Sequence, residues 1–201
     1  WGAGGSSEGA RQVGVTVRTA LNHWRLAVDV HNANHPDTTH DCADISQVDP
    51  RRYPTTTFAW FSPSCTNHSI AKGRRRHIDA TPDLFEETLP DEAAERSRAT
   101  MWDVVRFAEF HRYRAIIVEN VVDARDWILW PAWFTAMQAM NYRAKVVYLN
   151  SMHAQAMGPG APQSRDRMYV VFWRKDGPAP DLQLRPPAWC PHCEMIVDGQ
   201  Q

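Results

Sequence analysis

Two rhythms of apolar residues alternate along the chain. Short β-branched or continuous apolar runs occur at 15–21, 55–61, 115–118, 144–149 and 168–173. Runs of that length bounded by polar or turn residues predict strands. Helical spacing fills the intervals. Residues 24–34 predict a helix that stops before Pro36, residues 99–112 carry Met101, Val104, Val105, Ala108 and Phe110 on a helical period, and 133–140 predict a third helix. Asp44-Ile45 falls where a further strand would end. Strands in alternation with helices predict an α/β domain whose mostly parallel sheet is covered by helices on both faces. The polar stretch containing Gly73 and Arg74-Arg75-Arg76 reads as a long exposed loop.

Composition narrows the class without changing it. The 201 residues carry 22 Lys and Arg against 23 Asp and Glu, with 43% hydrophobic and 22% charged residues. That balance excludes a disordered or collagen-like chain and a highly basic nucleic-acid coat. Any basic surface must therefore be local. No apolar run approaches the roughly 20 residues of a membrane span, and the opening WGAGGSSEGA has neither the basic nor the apolar part of a signal peptide. An intracellular protein is expected. Four cysteines, two of them in Cys190-Pro191-His192-Cys193, make no disulfide framework and point to thiol or metal chemistry.

Chemistry-bearing residues cluster where predicted strands end. Gly2, Gly4 and Gly5 form a turn of the kind that lets a backbone approach a nucleotide-like cofactor, or else a simple terminal stretch. His23-Trp24 follows the next strand, where an open α/β sheet presents groups to a ribose and a purine; Trp24 suits stacking on that purine or closing a core. Asp44 and Ile45 follow a third strand, and the Asp44 carboxylate could accept from an exocyclic amine. After the strand at 55–61 comes Ser62-Pro63-Ser64-Cys65-Thr66-Asn67-His68-Ser69, a thiol among polar residues at a strand's carboxyl end. Glu119-Asn120-Val121 leaves the buried strand directly, which places a carboxylate as a general acid or as a helix cap. Gln163-Ser164-Arg165-Asp166-Arg167 sets two arginines on one face of an extended segment, able to fork onto a carboxylate, a phosphate or a base oxygen.

In this order the motifs resemble the DNA (cytosine-5) methyltransferase family. Gly2-Ala3-Gly4-Gly5 is similar to the end of the family's first, cofactor-binding motif, and His23-Trp24 and Asp44-Ile45 to its second and third. Pro63-Ser64-Cys65 is similar to the nucleophile motif, Glu119-Asn120-Val121 to the Glu-Asn-Val motif, and Gln163, Arg165 and Arg167 to the Gln-x-Arg-x-Arg motif. Ser97-Arg98-Ala99-Thr100 and Leu149-Asn150-Ser151 fall at weaker motifs. Two positions depart from the pattern: Ser64 separates Pro63 from Cys65, and His23 stands where an acidic residue normally holds the ribose.

The resemblance implies a Rossmann-like S-adenosylmethionine-dependent methyltransferase sheet acting on double-stranded DNA. Cys65, Glu119, Arg165 and Arg167 take the catalytic roles it implies, and Gly2, Gly4, Gly5, His23, Trp24, Asp44, Ile45, Ser64 and Asn150 the cofactor-binding ones. It further implies a cytoplasmic enzyme of prokaryotic or phage type. A tRNA cytosine methylase of the same fold and a non-catalytic nucleic-acid-binding relative are the alternatives. Residues 1–176 are expected to form the catalytic domain without its first strand, and 177–201 a Pro-rich linker with the start of a target-recognition region, so the chain reads as cut at both ends. The C-x-x-C spacing of Cys190 and Cys193 reads either as half of a zinc site whose other pair lies beyond Gln201, or as two free thiols on a loose tail.

Overall fold

The structure, a computed structural model, describes residues 4–63, 91–154, 160–183 and 187–198, with only the backbone described for 91–99, 187, 188 and 198. Helix α1 (Gly5–Gln12) leads to strand β1 (Thr19–Asn22), helix α2 (Arg25–Asn34) and strand β2 (Thr39–Cys42). β1 and β2 pair in parallel, Asn22 opposite Cys42, so both strands end at one edge. Ala27, Val28 and His31 line the buried side of α2. Two short 3-10 turns, Ile45–Gln47 and Pro50–Arg52, then lead to β3 (Phe58–Phe61).

A second sheet holds the larger core. It contains β3, β4 (Ala115–Asn120), β6 (Asp166–Arg174) and β5 (Tyr142–Asn150), in that spatial order. Helix α3 (Asp91–His111) precedes β4, and α4 (Trp130–Ala139) crosses from β4 to β5. On one face of β4 and β6, Ile116, Val118, Asn120, Met168, Val170 and Phe172 are buried together with Met101, Val104, Phe107 and Ala108 of α3 and Trp133 and Met137 of α4. The Trp133 ring meets Phe172 edge-on at 5.4 Å, and its indole N–H donates to the Met101 carbonyl at 2.8 Å. Burying a ring of that size stabilises the fold by roughly 3 kcal/mol, and the hydrogen bond removes the cost of its polar edge.

One strand departs from the parallel order. β3 and β4 are parallel, but β6 runs antiparallel to both β4 and β5. The reason is connectivity. A parallel neighbour needs a crossover, and no helical pattern separates residue 150 from residue 166, so the chain after β5 can only turn back. Since β3, β4 and β5 still share one direction, their carboxyl ends and the start of β6 lie along a single edge.

The segment between β2 and β3 joins the two sheets. Val48 enters the main core, Tyr53 packs on Phe107 at 6.0 Å, and buried His111 of α3 bridges the Thr55 hydroxyl and the Pro50 carbonyl, each at 3.0 Å. At the far end of the chain β7 (Pro187–Cys190) and β8 (Met195–Asp198) form an antiparallel hairpin, in place of the loose tail that the sequence also allows. Among the described residues no helix is long and apolar enough to cross a membrane.

Candidate active site

The pleat of β4 divides its last two residues between two tasks. Glu119 points to the half-exposed face and Asn120 to the buried one. On the half-exposed face Glu119 lies opposite Tyr169, with Arg167 two residues earlier on the same side of β6. The Arg167 Nε donates to Glu119 Oε1 at 2.8 Å, with side chains 17% and 23% exposed respectively. A carboxylate so placed is fixed in direction yet still reachable. Trp60 of β3 meets Tyr169 edge-on at 6.0 Å, giving the site an aromatic wall. Burial, followed by the neighbouring Glu119 charge, pushes the Tyr169 phenol above its ordinary pKa, so it stays neutral.

On the buried face Asn120 reaches the loop after β3. Its amide donates to the Pro63 carbonyl at 3.4 Å, while its own oxygen accepts the Val121 N–H at 2.8 Å. This holds the chain two residues before Cys65. Cys65 and Ser64 themselves, like Gly2, lie outside the described residues.

The start of β6 is braced by Asn150. Its amide donates to Asp166 Oδ1 at 2.9 Å and to the Ser164 hydroxyl at 3.0 Å, and its oxygen accepts the N–H groups of Met152 at 3.0 Å and Arg165 at 3.3 Å. The Ser151 N–H donates to the Arg165 carbonyl at 3.0 Å, and its hydroxyl to the Gln163 carbonyl at 2.6 Å. The Gln-x-Arg-x-Arg segment is thereby clamped to the end of β5. Arg165 is left exposed, and Arg167 turns toward Glu119. Asn150, expected at the cofactor, thus has its polar atoms committed to this loop.

The remaining predicted residues divide between the two ends of α2: Gly4 lies against His31 and His35 near its carboxyl end, whereas His23 and Trp24 lead into its start, after β1. Gly4 caps α1 with φ 99°, a conformation that favours glycine, and a Cβ there would stand 2.6 Å from His35 Nε2, so that ring would have to shift. Gly5 opens the helix and is exposed. Close to this turn, buried His31 hydrogen-bonds the Ser7 hydroxyl at 2.9 Å and His40 at 2.7 Å. Desolvation, with His35 and His40 adding to it, holds the His31 pKa down at about 4, so the ring is neutral. His23 and Trp24 follow β1. Trp24 is 58% exposed, which removes the core-closing role, and its N–H is held by the Asn22 side chain at 2.9 Å.

Asp44 uses one oxygen to cap the Ser46 N–H at 3.0 Å. The backbone beside it is gripped from α3. Arg106 donates to the carbonyls of Ile45 at 2.5 Å and Val48 at 2.6 Å, while Asp103 accepts from the Ser46 hydroxyl at 2.6 Å and pairs with Arg106 at 2.8 Å. Sequence reasoning missed this clamp. Its one local signal, an acid and a base three apart on a helix, is common on solvated faces.

The profile of the C-5 cytosine-specific DNA methylase family matches residues 1–189. The chain belongs to this family. Among curated proteins the chain is similar to the type II methyltransferase M.AgeI of Thalassovita gelatinovora, 28% identical over 187 residues, which are 88% of this chain and 38% of that protein. Among solved structures it is similar to a protein described as a DNA modification methyltransferase encoded within an E. coli prophage, with TM-score 0.68, 16% identity, and coverage of 99% of this chain and 50% of the other. The S. pombe Dnmt2 methyltransferase gives TM-score 0.63 at 16% identity, covering 89% of this chain and 50% of that one. These structures share the methylase fold. The chain thus spans half, or less, of the length of the relatives it matches.

The fold of the methylase family implies S-adenosylmethionine, and the smaller sheet's edge fits it. An exposed indole, a carboxylate with one oxygen left over from capping, and an imidazole follow two paired parallel strands, groups able to stack on a purine and to hydrogen-bond a ribose. Among the described residues no group of three or more His, Cys, Asp or Glu side chains is arranged to hold a metal.

Proposed function

We propose that this chain carries the methyl-transfer half of a DNA cytosine-5 methyltransferase that acts on double-stranded DNA. The observation that carries the reading is the Glu119–Arg167 pair at the common strand edge, with Asn120 tying the nucleophile loop to the same strand end. Cytosine carbon 5 is too poor a nucleophile to react unaided, so the ring must first be activated. In this reading the Cys65 thiolate adds to carbon 6, and Glu119 hydrogen-bonds N3 and the exocyclic amine, stabilising the charge that builds on the ring. Arg167 holds Glu119 in line and reaches the base oxygen at O2, while exposed Arg165 meets the backbone phosphates.

S-adenosylmethionine supplies an electrophilic methyl group. His23 and Asp44 bind its polar groups, Trp24 stacks on its adenine, and Ile45 packs beside it. Gly2, Gly4, Gly5 and Ser64 line its approach. Asn150 acts on cofactor and base through the loop it braces. Once carbon 5 is methylated, a base takes its proton, and the electron pair left behind re-forms the carbon 5–carbon 6 double bond and expels Cys65 as the thiolate. The base must leave the stack to reach Glu119 and Cys65, so the target is flipped. Residues 1–176 form the methyl-transfer domain and 177–201 begin the region that reads the site. The type II relative suggests a cytoplasmic enzyme of a prokaryote or phage. Zinc has no part in this chemistry; the two thiols suited to it lie on the hairpin.

Glu119→Gln tests the reading in the full-length enzyme. The glutamine keeps the shape and loses the charge required when the ring is activated. Turnover at saturating substrate should fall by about two orders of magnitude or more, with DNA affinity changed less than about threefold. Equal losses in both would make Glu119 a structural carboxylate.

A further inference from the structure

We propose that Cys190 and Cys193, at the apex of the β7–β8 hairpin, are two thiolate ligands of a structural zinc ion. The argument starts from the turn. Cys190 ends β7 and faces Met195, the first residue of β8, so Pro191, His192, Cys193 and Glu194 make the whole reversal. Glu194 adopts φ 51°, a left-handed conformation that a glutamate rarely takes. That fold-back sets Cys190 and Cys193 on one tight four-residue reversal between the two strands. Both cysteines are free, Cys193 exposed and Cys190 half-buried, and so both are open to a metal.

The second line of argument is what the hairpin lacks. Trp189, Met195 and Ile196 are 60%, 59% and 66% exposed, so the described side chains of its strands enclose no core. A two-stranded hairpin without a core is marginal in water, and a tetrahedral zinc ion is one of the few devices that fix so small an element. The competing use of a Cys-Pro-His-Cys segment is dithiol–disulfide exchange, which relies on a helix N-terminus to stabilise the attacking thiolate. Here strands flank the motif on both sides, and that source of stabilisation is missing.

Zinc needs two donors more. Cys42 ends β2, with its thiol on the His23 carbonyl at 3.8 Å, and Cys65 belongs to the nucleophile motif. Among the described residues no group of three such donors forms, so the remaining pair comes either from the same hairpin of a second copy or from outside the described residues. Thiolate coordination is common to both, and the metal-to-chain ratio separates them.

The test is metal analysis of the untagged protein, purified with zinc under reducing conditions, beside Cys190→Ser and Cys193→Ser. Cobalt substitution adds a readout independent of activity. Expected are a thiolate-to-cobalt charge-transfer band and bound zinc, at one ion per two chains if copies share it or one per chain otherwise. Both signals should be lost in either variant. Should the variants fail to fold, protection of two thiols of the unaltered protein from alkylation by zinc, reversed by a chelator, reads the same site. The proposal is overturned if the reduced protein takes up no zinc, if zinc persists in the variants, or if the two thiols form a disulfide and their reduced form ignores zinc. None of these outcomes depends on methyl transfer, so the proposal can fail while the reading of the active site stands.

Discussion

The strand edge and the hairpin solve the problem of holding reactive side chains in opposite ways. Glu119 rides on a strand whose alternate residues, Ile116, Val118 and Asn120, are sealed under α3 and α4. Its direction is set by a close-packed core, and Arg167 makes only the last adjustment. Cys190 and Cys193 ride on two short strands with their large apolar residues in water. What packing does for the first site, the proposed zinc ion would do for the second.

Truncating one tryptophan in each region breaks or sharpens this contrast. Trp133→Ala, which removes a fully buried ring and an internal hydrogen bond, should destabilise the protein by about 3–5 kcal/mol in denaturant titration. Trp189→Ala on the hairpin should change the same transition by no more than about 0.5 kcal/mol. Comparable losses would mean that the hairpin has a core of its own.

A smaller effect is expected at the α3 clamp. Arg106→Met leaves the Asp103 carboxylate without its charged partner and frees the carbonyls of Ile45 and Val48. The expected cost is about 2 kcal/mol of stability, since hydrogen bonds to charged groups carry roughly that much. Because the grip lies beside Asp44, calorimetry should show cofactor affinity falling about tenfold or more while DNA affinity holds. An unchanged cofactor affinity would make the clamp a fold-stabilising device alone.

The same contrast explains what was legible in the sequence. Strand and helix runs around 115–118, 133–140 and 168–173 were readable because a core imposes a period on the residues that fill it. The meeting of Glu119 with Arg167 was not, since 48 positions separate them and only the antiparallel register of β4 and β6 brings them together. A mostly parallel sheet leaves open which strand is reversed, although the lack of a helical pattern between β5 and β6 carried the information. Asn120 looked like one letter of a motif. The pleat shows that it works on the face opposite Glu119, against Pro63. Asp103 and Arg106 escaped notice because nothing local distinguishes a pair that grips a distant loop from one that is merely solvated. The hairpin was hidden for the converse reason: without a buried face, its strands leave no apolar alternation to read.

The central claim is that this strand edge activates cytosine through a covalent bond to Cys65. Incubating the full-length enzyme with S-adenosylmethionine and duplex DNA in which the target cytosine is 5-fluorocytosine, followed by peptide mapping, tests it most directly. Fluorine at carbon 5 cannot leave as a proton does, so the intermediate is trapped. The account predicts a stable adduct that requires the cofactor, maps to Cys65 and is absent in Cys65→Ala. An adduct on another residue, or one that survives in Cys65→Ala, would contradict it.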